Sequence, residues 1–99
     1  MVWTVFFTDQ AEEMLLRIDD RRIRELIKAR AMRLNTSPEM QGKPLGRDLA
    51  GLRSVRAVGQ RYRIIYELFP ADREVWIVTV GIRKSGNHDD VYELAKQLK

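Results

Sequence analysis

The sequence predicts an α+β fold of two layers: an antiparallel sheet with an N-terminal helical hairpin on one face and a short C-terminal helix. Apolar residues recur at helical spacing between residues 9 and 34. Three runs rich in β-branched and aromatic residues then follow one another between residues 52 and 82, separated by turn residues. With 99 residues and no internal repeat, residues 1–99 are predicted to form one domain.

The N-terminal third is predicted to contain one strand and two helices. Residues 3–7 form a strand with apolar side chains on both faces, which favours a central place in the sheet. Thr8 or Asp9 is the expected N-cap of the first helix, and Asp19 and Asp20 separate it from the second. The second helix carries a stripe at helical spacing: Ile23, Leu26, Ile27, Arg30, Ala31 and Leu34.

The two strands around Gly59 are predicted to pair as a hairpin. Gly59 followed by Gln60 suits a two-residue type II′ turn, which would place Val58 opposite Arg61. Counting back from that turn puts Arg56 directly opposite Arg63. Like charges in that position destabilise a sheet, so the pair indicates a face that meets an anion.

The third strand, residues 74–82, is expected to pair with the second strand of the hairpin. A three-residue loop at Pro70 would pair Phe69 with Arg73 and place Gly59 beside Arg83, whereas a four-residue loop would shift this register. With three residues, Arg83 joins the other arginines on one face. Residues 35–50 are predicted to be loop, and residues 91–98 a final helix.

The positive charge of the chain is concentrated on and just before the hairpin. Residues 1–42 contain seven basic and seven acidic residues, whereas the whole chain has a net charge of +4. Within residues 43–63, six basic residues accompany Asp48 alone. Such a patch attracts phosphate chains or acidic protein segments, and the alternative is an ordinary solvated face.

Composition excludes several classes of site. The chain has no cysteine, which removes disulfides and cysteine metal sites, and one histidine cannot build a zinc site alone. We therefore expect no metal and no cofactor. No apolar run approaches the ~18–20 residues of a membrane span, and residues 1–7 lack the pattern of a signal peptide, so we expect a cytoplasmic protein without a membrane partner.

The arginine cluster lies beside a polar loop that contains His88, with Tyr92 one helical turn later. Guanidinium groups around a phosphate stabilise the charge that grows when a ribose 2′-hydroxyl attacks phosphorus, and a tyrosine or histidine relays the proton. Each residue also has a structural interpretation. Arg56 or Arg63 could pair with a sheet glutamate, His88 could be a surface loop residue, and Tyr92 could cover the core.

Several segments resemble the RelE/ParE superfamily of bacterial type II toxins. The resemblance spans nearly the whole chain and is carried by residues 43–45, 49–56, 61–67, 80–84 and 90–92. Its more specific parts are the Tyr-Arg-Ile-Ile-Tyr strand that begins at Tyr62 and the ending in which Gly-Ile-Arg-Lys precedes Val91-Tyr92. This resemblance implies the α+β fold described above.

Likeness to the RelE branch implies a metal-independent endoribonuclease that cleaves mRNA on the ribosome. By motif, it implies that the catalytic residues are Arg56, Arg63, Arg83 and Tyr92, with His88 as a further candidate proton carrier. The implied RNA-binding residues are Arg53, Arg61, Lys84 and Lys43. The family often has a basic residue where this chain has Ser54, and Arg53 would take that role only if the strand shifted by one residue.

Likeness to the ParE branch implies instead an inhibitor of DNA gyrase that cuts nothing. The combination of Arg56, Arg63, Arg83 and Tyr92 favours the nuclease. In either case the resemblance implies a cognate antitoxin, with operator DNA bound only through the antitoxin complex. For the nuclease, the ribosome and mRNA are the further expected partners.

Overall fold

The computed structural model describes residues 2–59 and 61–82 together with Tyr92 and Ala95. Five strands and two α-helices occur in this part of the chain: β1 (Thr4–Phe7), α1 (Asp9–Leu16), α2 (Arg21–Met32), β2 (Lys43–Pro44), β3 (Leu52–Ala57), β4 (Tyr62–Phe69) and β5 (Glu74–Ile82). The strands form one sheet in the order β1-β5-β4-β3-β2. The predicted α+β class is confirmed.

Both helices begin at the predicted boundary residues. The Thr8 side chain accepts a hydrogen bond from the backbone N–H of Ala11 at the start of α1. Asp20 accepts from the N–H groups of Arg22 and Ile23 at the start of α2. These bonds satisfy N–H groups that have no partner inside the helix, so short polar residues mark the boundaries.

The main core lies between the helices and one face of the sheet. From the helices, Ala11, Leu15, Ile27 and Ala31 are buried in it. From the sheet it receives alternate residues of β3 and β4, chiefly Val55, Ala57, Tyr62, Ile64 and Tyr66. A smaller cluster of Leu49, Leu52, Ile65 and Ala95 covers part of the opposite face. The sheet therefore has one face under α1 and α2 and a second face that is only partly covered.

Strand β1 is at the edge of the sheet, so the prediction of a central first strand was wrong. It runs parallel to β5, which makes the sheet mixed rather than wholly antiparallel. Its aromatic content has another cause: Phe6 stacks on Trp76, with ring centroids 4.7 Å apart. An aromatic cross-strand pair stabilises one face without a covering layer, so apolar residues on both faces did not require a central strand.

The predicted register of β3 and β4 is confirmed, with Arg56 opposite Arg63 and Ala57 opposite Tyr62. The turn itself differs from the simple type II′ expectation, because Val58 as well as Gly59 has positive φ. A β-branched residue rarely adopts that conformation.

The predicted register of β4 and β5 was wrong by two positions, because Tyr62 pairs with Ile82. The loop has four residues, since Phe69 pairs with Glu74, and this accounts for one position. The second comes from a β-bulge, because Ile65 pairs with Thr79 while the next residue, Tyr66, pairs with Ile77. Val78 is therefore the extra residue on β5.

The segment between α2 and β3, predicted to be loop, contains three short 3₁₀ turns as well as β2. The two residues of β2 pair with Ser54 and Arg53 of β3. Of the predicted last helix, Tyr92 and Ala95 are helical, and the rest lies outside the described residues. None of the described helices is long and apolar enough to cross a membrane.

Candidate active site

Arg56 and Arg63 lie side by side on the sheet face that points away from α1 and α2. This follows from strand alternation, because Val55 and Ile64 enter the helix-side core and their neighbours must face the other way. Arg63 donates from Nη1 to the carbonyl oxygen of Tyr62 at 3.2 Å. Arg56 is exposed and makes no ion pair with a described carboxylate, so the proposed pairing with Glu67 or Glu74 is not observed in the described part of the chain.

Tyr92 lies against the same face. Its hydroxyl oxygen is 2.9 Å from Oγ of Ser54, and either group can donate in this hydrogen bond. Ser54 is only 8% exposed, and the bond is partly buried. Ser54 is two residues from Arg56 along β3, so the bond places the Tyr92 hydroxyl beside the arginine pair.

These residues border one cleft with a volume of about 400 Å³. Four cations and two hydroxyl side chains line it: Arg30, Lys43, Arg56, Arg63, Ser54 and Tyr92. No described residue of its lining is acidic. Because nearby cations raise one another's energy, a cleft of this composition attracts anions, and water exclusion strengthens the attraction.

The cleft follows the outer edge of β3. Strand β2 pairs with only Arg53 and Ser54 of that edge, and the cleft is lined by Lys43 of β2 and by residues 54–56 of β3. Gly42 has a φ of +63°, and a Cβ there would overlap the carbonyl oxygen of Ser54 and the side chain of Val55. The glycine thus allows the chain to pass close to β3 and brings Lys43 to the rim.

The structure brings together some of the predicted site residues and separates another. Arg56, Arg63, Lys43 and Tyr92 line the cleft. Arg61 is exposed in the adjoining β3–β4 turn. Arg83, Lys84 and His88 lie outside the described residues.

Arg53 faces the opposite side of the sheet, so the structure does not place it with the other predicted RNA-binding residues. Its Nη2 donates to the carbonyl oxygen of Gln41 at 2.8 Å, and its Nε donates to the Tyr66 hydroxyl at 3.4 Å. That hydroxyl lies 3.0 Å from the carbonyl oxygen of Pro38 and 2.8 Å from that of Gln41. Arg53 therefore ties the segment before β2 to the sheet.

We expect Tyr66→Phe to destabilise the fold by about 1–3 kcal/mol, because the buried hydroxyl that links Arg53 to the carbonyl oxygens of Pro38 and Gln41 is lost. Burial, the largest cause, raises the pKa of Tyr66 above its ordinary value of 10.0. The unfolded chain therefore loses this proton first as the pH rises. Stability from this group is fully present below pH 10 and declines above it.

Urea unfolding of the wild type and of Tyr66→Phe between pH 8 and pH 11 tests this expectation. The wild type should lose stability above pH 10 more steeply than the variant, because only the wild type carries this titration. Equal slopes would show that Tyr66 is not the responsible group.

Sequence reasoning missed the place of two residues in this cleft. The sequence places Arg30 in the apolar stripe of α2. A cation at a core-facing position of a helix is unusual, and this was the signal that could have indicated a binding role for Arg30. Ser54 was noted only as a departure from the family pattern, and its hydrogen bond to Tyr92 depends on a tertiary contact that spans 38 residues.

Solved structures that are similar to this chain include toxins of toxin–antitoxin systems. The chain is similar to a chain of the RelBE2 toxin–antitoxin complex of Mycobacterium tuberculosis, with 33% identity, a TM-score of 0.76, and coverage of 84% of this chain and 93% of that one. It is also similar in fold to a double arginine-to-alanine mutant of free E. coli RelE, with 19% identity, a TM-score of 0.76, and coverage of 99% and 98%. A chain of the chromosomal ParDE system of P. aeruginosa matches with 13% identity, a TM-score of 0.66, and coverage of 82% and 96%.

The fold and the cationic cleft thus define a toxin of the RelE/ParE superfamily. The model of the ParE toxin family of type II toxin–antitoxin systems matches residues 5–85, and the chain belongs to that family. No match was found among curated proteins.

Proposed function

We propose that this toxin is a metal-independent endoribonuclease that cleaves mRNA engaged by the ribosome. The observation that carries the proposal is the facing pair Arg56 and Arg63 beside the hydrogen-bonded Tyr92 hydroxyl in one cleft. Two guanidinium groups directly opposite each other on a sheet repel one another. A bound phosphodiester compensates them both, and its charge increases during cleavage.

The chemistry requires a nucleophile that the RNA itself supplies. The ribose 2′-hydroxyl loses its proton and attacks the adjacent phosphorus, and the bond from phosphorus to the 5′-oxygen breaks. The products are a 2′,3′-cyclic phosphate and a 5′-hydroxyl, and the leaving oxygen takes up one proton. Arg56 and Arg63 stabilise the charge on the non-bridging oxygens, and the Tyr92 hydroxyl is placed to transfer a proton.

Arg83 and His88 complete the proposal as residues implied by the resemblance. A third guanidinium from Arg83 would add to the charge stabilisation. His88 would be a second candidate proton carrier, and Lys84, Arg61 and Lys43 would bind flanking RNA. Replacing Arg83 or His88 by alanine and comparing cleavage rates separates their contributions.

A second candidate function is inhibition of DNA gyrase without cleavage of nucleic acid. The observation in its favour is the match to the ParE toxin family model over residues 5–85. A gyrase inhibitor needs a binding surface but no proton carrier beside the arginine pair, so the position of the Tyr92 hydroxyl favours the nuclease.

Brief induction of the toxin in bacteria distinguishes the two functions. For the nuclease we expect translation to stop first, and primer extension on a cellular mRNA should show new 5′ ends inside translated codons. Inhibition of gyrase would instead leave the mRNA intact and induce the DNA-damage response. An Arg56→Ala, Arg63→Ala double variant should abolish the new ends, whereas Arg21→Met, an exposed change at the start of α2, should retain them.

We further propose a cognate antitoxin that covers the cleft with an acidic segment. The support is the net charge of +4 and the absence of acidic residues from the described lining of the cleft. Complementary charge speeds association and lowers dissociation of such a complex. We expect operator DNA to be bound by the complex through the antitoxin, in the cytoplasm where its targets are found.

A further inference from the structure

Arg30 is a half-buried cation that the cleavage chemistry does not use. It projects from α2, on the opposite side of the sheet from Arg56 and Arg63, yet it borders the same cleft. Its Nη1 is fully buried and has no hydrogen-bond partner among the described residues. A buried N–H group without an acceptor has lost its hydrogen bonds to water, which costs free energy. An acceptor that enters the cleft and accepts from this N–H therefore binds more favourably.

Within the described part of the chain, no carboxylate forms an ion pair with Arg30. The described lining of the cleft has no carboxylate, and Lys43 adds a second cation on the rim of β2. Desolvation, the largest cause, lowers the pKa of Arg30 from its ordinary value, and the charge of Arg33 adds to that effect. The protein therefore holds a partly dehydrated positive charge beside an open cleft, which favours a singly charged oxyanion.

The geometry of the sheet edge explains how one ligand reaches both groups of cations. Beyond the two residues of β2, the edge of β3 at Val55 has no neighbouring strand in the described part of the chain. The cleft thus contacts both sides of β3: Arg56 and Ser54 on one, Arg30 on the other. Its volume of about 400 Å³ falls in the range of ~300–1,000 Å³ for ligand sites and exceeds the needs of one phosphate group.

We propose that Arg30, with Lys43, forms a second phosphate subsite that binds a phosphodiester next to the scissile one as single-stranded RNA crosses the edge of β3. This inference rests on the proposed ribonuclease function. In it, rotation of the guanidinium carries Nη1 into the cleft, where a phosphate oxygen becomes its acceptor. The subsite fixes the register of the strand, so that the phosphate between Arg56 and Arg63 is the one cleaved.

Short RNAs of defined length test the subsite directly. A dinucleotide offers only the phosphate at the cleavage position, whereas trinucleotides extended on the 5′ or the 3′ side offer one more. A 2′-deoxy sugar at the cleavage position removes the nucleophile, so that binding is measured without reaction. Chemical-shift titrations with the full-length chain then give dissociation constants for the wild type and its variants.

We expect Arg30→Met to bind one of the two trinucleotides about tenfold more weakly than the wild type, and the dinucleotide equally well. For the affected trinucleotide, we also expect a weaker dependence on salt. The slope of the logarithm of the association constant against the logarithm of the salt concentration should become less negative by about 0.7, as for one lost phosphate contact. Arg21→Met, which removes an exposed charge from the same helix, is the matched control and should match the wild type. Arg30→Lys should retain most of the affinity.

Stability measurements separate a local effect from misfolding. Methionine keeps an unbranched apolar stem and removes the unpaired N–H, so Arg30→Met should melt no lower than the wild type. A lower melting temperature for Arg30→Met would contradict the claim that this group is unsatisfied in the free protein.

Failure of the subsite and failure of the ribonuclease proposal are distinguishable. If Arg63→Met weakens all three RNAs while Arg30→Met weakens none, the subsite is wrong and the nuclease stands. If no RNA binds to the wild type, the subsite is wrong, whereas the nuclease is wrong only if induction of the toxin also leaves cellular mRNA uncut. If Arg30→Met changes only the affinity for a peptide rich in aspartate and glutamate, the anion is a protein carboxylate, and the phosphate subsite is wrong.

Discussion

Arg56→Met is expected to lower the rate of mRNA cleavage by about 10²–10³-fold while making the folded protein slightly more stable. The loss of rate follows from removal of a preorganised cation beside the scissile phosphate, since one such donor contributes a factor of about that size. The gain in stability follows from the register, because Arg63 lies directly opposite Arg56 and like charges there destabilise the sheet.

The stability gain should be about 0.5 kcal/mol at low ionic strength and should shrink as salt screens the pair. Urea unfolding at two salt concentrations measures it, and single-turnover cleavage on ribosomes programmed with a defined mRNA measures the rate. Lower activity together with higher stability is the signature of a charge placed for function.

Arg21→Met is the matched control, because it removes one exposed cation from α2, outside the cleft lining. It should leave both the cleavage rate and its salt dependence unchanged. If Arg56→Met cleaves as fast as the wild type, the arginine pair does not stabilise the transition state. If it is inactive only because it unfolds, urea unfolding will reveal that directly.

The structure shows which parts of this fold local sequence could specify. Thr8 and Asp20 were identifiable because a cap acts within three residues of its own position. The Arg56–Arg63 pairing was identifiable because a short turn transmits its register to the strands that it joins. In each case the determining interaction is close in sequence.

The register of β4 and β5 was not identifiable for the opposite reason. The loop between Phe69 and Glu74 has four residues, and no local pattern distinguishes that length from three. The bulge at Val78 is set by packing across the sheet, where Thr8 donates to the Val78 carbonyl oxygen at 3.4 Å across 70 residues of chain. The edge position of β1 was not predicted, because a strand whose apolar side chain stacks on its neighbour has the same sequence pattern as a strand buried on both faces. Here Phe6 stacks on Trp76.

In the candidate site, too, local sequence specifies some features, and others depend on tertiary contacts. Strand alternation placed Arg56 and Arg63 on one face correctly. The same alternation puts Arg53 on the opposite face, where it binds the carbonyl oxygen of Gln41. Arg30 could not be assigned to the cleft, since its place there depends on how α2 meets the edge of β3, and no local pattern encodes that contact.

Tyr92→Phe is expected to lower the cleavage rate by about 10²–10³-fold with little change in RNA affinity, because the ring remains and only the proton carrier is lost. The unfolding free energy should fall by about 1 kcal/mol, since the buried Ser54 hydroxyl loses its partner. Single-turnover rates at saturating RNA, with binding measured separately on an uncleavable RNA, separate these effects.

Ser54→Ala should have a smaller effect, about tenfold on the rate, because alanine removes the 2.9 Å hydrogen bond that orients the Tyr92 hydroxyl but leaves the hydroxyl itself in place. Ser54 is thus a positioning residue that acts through Tyr92. The double variant provides the decisive comparison, since residues that act as a unit are non-additive. Once Tyr92 is phenylalanine, Ser54→Ala should slow cleavage no further; a further tenfold loss would show that Ser54 acts on the RNA independently.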